Sequence, residues 1–222
     1  MRKKAAGKGN KKKIVTAIFG MAVLLLLSPG SHGATISNNL DQPGLGQSVI
    51  TSSYYKAQKF TTDANTYTLN WVRIRLRANT AGNLFARVYD DNGNLPNAEA
   101  GSLIVPSVGP TYDNHTCTPS APIELSANST YWVVVGVTDG TGYYDWNYTA
   151  SNSGSGAGFS TRWAHSINAG STWSADDTSP HMMQVDVSAS PPIPTLNEWG
   201  IIILSLLFVV SAYFLIRKRQ VA

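Results

Sequence analysis

The sequence predicts an all-β fold, an antiparallel β-sandwich, set between an N-terminal signal peptide and one C-terminal transmembrane helix. Three observations lead there. Apolar and polar residues alternate through the middle of the chain. Gly, Asn, Ser and Pro punctuate these runs, and no stretch of the middle has a helical period with caps. Each end couples an apolar run to a cluster of basic residues.

The first element is the leader. Arg2, Lys3, Lys4, Lys8, Lys11, Lys12 and Lys13 form a basic start. Ile14 to Leu27 is an apolar run, too short and wrongly flanked for an ordinary span. Ser28-Pro29-Gly30-Ser31-His32-Gly33-Ala34 then supplies small residues and a helix breaker. This is the pattern of a secretory signal peptide, assigned to residues 1–34 with the cut after Gly33 or Ala34.

The ectodomain is assigned to residues 35–190, long enough for one domain with its own core. In Trp71-Val72-Arg73-Ile74-Arg75-Leu76-Arg77 the aliphatic residues point one way and the arginines the other, which makes a half-buried antiparallel strand. Leu84 to Tyr89 is a second strand, and Asp90-Asp91-Asn92-Gly93-Asn94 a turn after it. Tyr131 to Val137 is nearly all apolar and β-branched, as in a central strand covered on both faces. Tyr143 to Thr149, Phe159 to Trp163 and Met182 to Val187 read as further strands.

Charge excludes one class of partner. Of 17 lysines and arginines, seven lie in the leader and three at the C-terminal end, so the span 35–192 holds seven against twelve acids, a net charge of −5. The basic pI belongs to the ends, and a nucleic-acid-binding face is not expected. Cys117 is the only cysteine, so no intrachain disulfide forms; its setting, Asn114-His115-Thr116-Cys117-Thr118-Pro119, reads as a loop.

No catalytic constellation is visible. His115, His165 and His181 stand apart, without a paired histidine or acidic ligand set, so no metal site and no cofactor are expected. Ser153-Gly154-Ser155-Gly156 lacks the helix that a nucleophile elbow or phosphate loop requires. The Asp90 to Asn94 oxygens would suit a calcium ion, but a hairpin turn uses the same residues for backbone reasons. Aromatics are the candidates for ligand binding: Tyr144, Trp146, Tyr148, Trp163 and Trp173 concentrate in the C-terminal half. The even positions of Tyr144-Asp145-Trp146-Asn147-Tyr148 share one face, a ligand platform if outward and core if inward. Arg73, Arg75 and Arg77 would meet an anionic polysaccharide or acids across the ladder. A glycosidase alternative would pair Asp145 with Asp176 or Asp177 across a cleft.

The chain then reaches a Pro-rich linker and a short motif, residues 191–200. Pro191, Pro192 and Pro194 are expected to keep this segment extended. Residues 201–216 carry no charge and are assigned as the transmembrane helix, although sixteen residues rise only about 24 Å against about 30 Å of hydrocarbon. Arg217, Lys218 and Arg219 open the basic tail, 217–222, and act as a stop-transfer signal that keeps it cytoplasmic.

Two resemblances add to this reading. Ile193-Pro194-Thr195-Leu196-Asn197-Glu198-Trp199-Gly200, with the apolar run and basic end behind it, resembles the IPTL-CTERM family of bacterial sorting signals. In that resemblance Ile193, Pro194, Thr195, Leu196, Trp199 and Gly200 are the sorting motif. It implies an exosortase-type processing enzyme as partner, a passage through the inner membrane, and delivery to the surface or matrix of a Gram-negative bacterium. The stretches "AQKFTTDANTYTLNWVRIRL", "RVYDDNGNLPN", "IELSANSTYWVVVG" and "YDWNYTAS" resemble the choice-of-anchor R domain. That resemblance implies a jelly-roll-like sandwich without assigned catalytic residues. The expectation is an exported, noncatalytic surface or extracellular-matrix protein that binds polysaccharide or surface proteins. An extracellular carbohydrate-active enzyme and a purely structural matrix protein are the alternatives.

Overall fold

A computed structural model describes residues 33–190 and 196–221. The leader therefore lies outside the described residues, except for its last two positions. Gly33 and Ala34 already belong to the first strand, β1 (Gly33–Asn38).

Among the described residues thirteen strands follow one another. After β1 come β2 (Gly44–Ile50), β3 (Tyr55–Thr61), β4 (Tyr67–Thr80), β5 (Leu84–Asn92) and β6 (Leu95–Ile104). Then come β7 (Asp113–Pro119), β8 (Glu124–Leu125), β9 (Thr130–Val137) and β10 (Tyr143–Thr149). β11 (Phe159–Ser166), β12 (Ser174–Asp176) and β13 (Met183–Ala189) complete the set. All pairings between these strands are antiparallel. The path β1-β13-β4-β7-β6-β5-β9-β3-β11-β12 is one curled sheet, with β8 and β10 attached to β4 and β2 attached to β10.

The curl has two halves, one built around β4 and one around β9. They are joined where β6 meets β7 through two residue pairs, Leu103 with Pro119 and Ile104 with Thr118. The alternation in β4 sends Val72, Ile74 and Leu76 into the main core. There they join Ala86 and Val88 of β5 and Val133, Val135 and Val137 of β9. β9 is the central strand its composition predicts: β3 and β5 flank it and Tyr131 to Val137 are all buried. A run buried on both faces needs a second apolar layer outside it, and one exists (below).

Cys117 is not in a loop. It sits in β7 opposite Val72, fully buried in the main core. Alternation explains this, since His115 and Cys117 point inward while Asn114, Thr116 and Thr118 are exposed. The Asp90 to Asn94 turn is tighter than expected. β5 continues to Asn92, which pairs with Leu95, so the turn is Gly93-Asn94. Both residues have positive φ, 64° and 66°, the backbone of a two-residue hairpin whose twist matches the strands.

The last element is a helix, α1 (Leu196–Val221). It begins inside the motif, so Leu196 to Gly200 are helical rather than extended. The expected membrane span, 201–216, lies within α1, and residues 200–213 are exposed. Among the described residues no helix is long and apolar enough to cross a membrane. The uncharged stretch of the helix, residues 199–216, rises about 27 Å against about 30 Å of hydrocarbon.

Candidate binding face

The aromatics singled out from the sequence do not form one surface. Tyr144 and Trp146 turn inward and are core, 4% and 0% exposed. The Tyr144 hydroxyl donates to the Gly82 carbonyl at 2.7 Å, and the Trp146 indole N–H donates to the Met182 carbonyl at 3.0 Å. Neither is a platform for a ligand from solvent. Tyr148 is half-buried against Gly46, where a Cβ would stand 2.5 Å from its hydroxyl oxygen. Trp163 is half-buried and donates its indole N–H to the Thr178 carbonyl. Trp173 is half-buried on the other side of the sheet, in a different cluster.

That cluster is the outer face of the β9 half. Register builds it. Lys56 pairs with Val135 and Phe85 with Gly136, so Tyr55 and Phe85 flank Gly136 on the outer face. A Cβ on Gly136 would lie 2.5 Å from both rings, so glycine lets them close over the strand. Their ring centres are 5.1 Å apart, edge to face at 85°. One step along, Ala57 stands between Val134 and Ala164, and Ala164 beside Ala175. These small residues make a low floor. One step further, Lys59, Trp132 and Tyr89 form the next row.

Ala57, Trp132, Val134 and Ala164 are fully buried there, beneath half-buried Tyr55, Phe85, Tyr89, Leu95 and Trp173. The half-buried residues offer flat apolar area to solvent. Polar groups rim it. The Trp132 indole N–H donates to Asp91 Oδ1 at 2.8 Å, and Lys59 Nζ donates to Asn94 Oδ1 at 2.9 Å. Arg87 lies 4.4 Å over the Phe85 ring and pairs with Glu99 at 3.1 Å. Aromatic faces with polar edges suit both sugar rings and protein surfaces. Trp173 belongs to this face; Tyr55, Phe85, Tyr89 and Trp132 were not singled out from the sequence. The signal available was the aromatic in each strand, but only register brings them together.

The remaining candidates are engaged in structure. Asp145 is fully buried, and its Oδ2 accepts from Arg77 Nε at 2.9 Å and Asn79 Nδ2 at 2.7 Å. Asp145 lies in the β4 half, whereas Asp176 and Asp177 follow β11 in the β9 half. Asp177 is exposed and paired with Arg162 at 2.7 Å. Backbone and hydroxyl hydrogen bonds from Thr178 hold the Asp176 carboxyl below its ordinary range. Asp90 Oδ1 accepts from Asn97 and Ala98, and Asp91 Oδ2 from the Asn94 N–H, so the turn carboxylates serve their own hairpin. Among the described residues no three His, Cys, Asp or Glu side chains gather to hold a metal ion. In the arginine row, Arg73 stacks on Trp71 and donates to Thr116, and Arg77 stacks on Tyr112 and bonds Asp145. Burial pushes the Cys117 thiol up to about 12.

The motif residues Ile193, Pro194 and Thr195 lie outside the described residues. Leu196, Trp199 and Gly200 fall in the first turns of α1, and Arg217, Lys218 and Arg219 near its end. Compared with known families, residues 191–218 match the model of the IPTL-CTERM motif. No curated protein matches the chain. The match covers the tail alone and defines the class: a protein carrying a sorting signal. That motif implies an exported, surface-sorted chain, processed at its C-terminal end by an exosortase-type enzyme.

Proposed function

We propose that the chain is a noncatalytic binding protein of the surface or extracellular matrix of a Gram-negative bacterium. Its tail is an address read and cut by the processing enzyme, and its outer aromatic face binds polysaccharide. The observation behind the sorting half is the tail match over residues 191–218. The observation behind the binding half is the half-exposed Tyr55, Phe85, Tyr89 and Trp173 layer with its polar rim. The resemblance to choice-of-anchor domains supports the same placement, and the curled antiparallel sheet supports the jelly-roll-like architecture it implies.

The tail fits a substrate role. It offers exposed apolar side chains over 201–213 to lipid or to a membrane-embedded enzyme. Its uncharged run is shorter than an ordinary hydrocarbon core, a weak basis for permanent anchorage. The intact mass of the chain recovered from cells, membranes and medium tests this half. A species ending within or before residues 193–200 is expected; a species retaining 201–222 everywhere sinks the address reading. Affinity electrophoresis in gels of host exopolysaccharide tests the other half. Retardation lost in Tyr55→Ala and Trp173→Ala is expected, whereas equal mobility with and without polysaccharide overturns it.

A further inference from the structure

Three basic side chains meet on the inward side of the β3–β11 pair. Lys56 stands opposite His165 in that ladder, and Trp163 opposite Gln58. Lys56, Gln58 and Phe60 alternate with the outward Ala57, and Phe60 lies in the main core, so these side chains face inward. His181, just before β13, bridges to Tyr148 of β10. Its ring lies 4.8 Å from Trp146 and 4.9 Å, edge-on, from Trp163. The same Trp163 has His165 at 5.6 Å and the Lys56 ammonium 5.7 Å from its ring centre. One indole is thus surrounded by two imidazoles and one ammonium.

This grouping is unbalanced. His181 is fully buried, and neither of its ring nitrogens has a hydrogen-bond partner. His165 Nδ1 is buried and also lacks one. Among the described residues the ion pairs are Arg77–Asp145, Arg87–Glu99 and Arg162–Asp177, none of which includes Lys56. Asp176, opposite Trp163, acts on His165, but its Oδ1 is already bonded by Thr178. Burial lowers the Lys56 pKa; burial and then the Lys56 charge lower that of His165. Burial, Lys56 and His165 together hold His181 well below its ordinary value. Bases that repel one another and lack acceptors are stabilised by an anion among them.

We propose that Lys56, His165 and His181 form the cationic wall of an oxyanion site, which takes a carboxylate, sulfate or phosphate group beside Trp163. Lys56, Trp163 and His165 are half-exposed and give the group access from solvent, with His181 behind them. Lys56 supplies up to three donors, and each imidazole that takes a proton supplies two. Binding therefore draws protons onto the histidines. The site lies on the opposite face of β3 from Tyr55 and does not depend on the outer aromatic face.

The test is imidazole nuclear magnetic resonance on the full chain in nonionic detergent. Sodium glucuronate, sulfate and phosphate are titrated, with chloride at equal ionic strength and glucose as controls. At least one oxyanion is expected to shift the His165 and His181 signals saturably and to raise their titration midpoints; chloride and glucose are not. Lys56→Gln is expected to weaken the binding about tenfold or more, and Lys56→Arg to retain it, both with an unchanged amide spectrum. Tighter binding of glucuronate than of the inorganic ions identifies an acidic sugar as the source; equal or tighter inorganic binding identifies free anion. No saturable shift with any oxyanion overturns the proposal, as does undiminished binding in Lys56→Gln. Failure of the polysaccharide gel assay leaves this result standing, so the two readings fail separately.

Discussion

Acid should loosen this fold well above the carboxylate range, through His181. In the native chain the imidazole is fully buried, and its pKa is well below the ordinary value, first through burial and then through the charges of Lys56 and His165. In the unfolded chain it returns to about 6.5. Above that pH both states are neutral and His181 contributes no pH dependence. Below it the unfolded chain takes up a proton that the native chain refuses, so stability falls as pH falls. The slope is at most about 1.4 kcal/mol per pH unit, which integrates to at most about 2 kcal/mol by pH 5. Against a typical total of about 5–15 kcal/mol this is a sizeable share. Asp63, Asp139 and Asp176 have lowered pKa values through hydrogen bonds, so their stabilisation is lost only as pH falls below about 4. Between pH 7.5 and 5 the carboxylate contribution stays in place, so the slope there reports the histidines. Urea unfolding followed by tryptophan fluorescence, at steps from pH 7.5 to 5, measures the effect. His181→Phe keeps a ring between Trp146 and Trp163 but cannot ionise, and should lose most of the slope; His165 supplies the remainder. Parallel slopes in the two chains, or a wild-type stability that stays flat to pH 5, would refute the reasoning.

Other outcomes follow from single contacts. Trp132→Phe keeps most of the buried ring but leaves Asp91 Oδ1 without its donor, and should cost about 1–2 kcal/mol in a urea titration. Gly93→Ala meets open space, so its cost is backbone strain alone, about 1–2 kcal/mol, read as a lower unfolding midpoint. Cys117 should resist a maleimide in the native chain at pH 7 and react once denaturant exposes it, because burial removes the thiolate. Fast native labelling would contradict its place in β7.

How much of this was legible depended on whether a property lived along one strand or between strands. The inward set Val72, Ile74 and Leu76 follows from alternation alone. The central position of β9 follows from an apolar run with no polar side. Alternation says that Tyr144, Trp146 and Tyr148 share a face, but not which face, because Asp145 and Asn147 between them are buried as well. Only the pairing of β10 with both β2 and β4 decides it. The outer aromatic face was hidden for a related reason. Tyr55, Tyr89, Trp132 and Trp173 come from four parts of the chain; the β3, β5 and β9 registers assemble the first three, and the β3–β11–β12 pairing brings Trp173 beside them. His165 and His181 looked isolated in sequence; one indole between them makes them neighbours. The helical start of α1 at Leu196 was not read from the sequence, because the prolines before it drew the segment toward an extended reading.

The strand that leads to the tail is β13, and it is not at the sheet's edge. It pairs with β1 on one side, Gly33 opposite Ser188, and with seven residues of β4 on the other. A pull on the C-terminal end along β13 therefore loads all these rungs at once, in shear, rather than peeling them singly. While the tail remains the point of attachment, drag on the folded body is spread over β4, the longest of the described strands. A body tethered through a hairpin at the margin would unzip under a much smaller load.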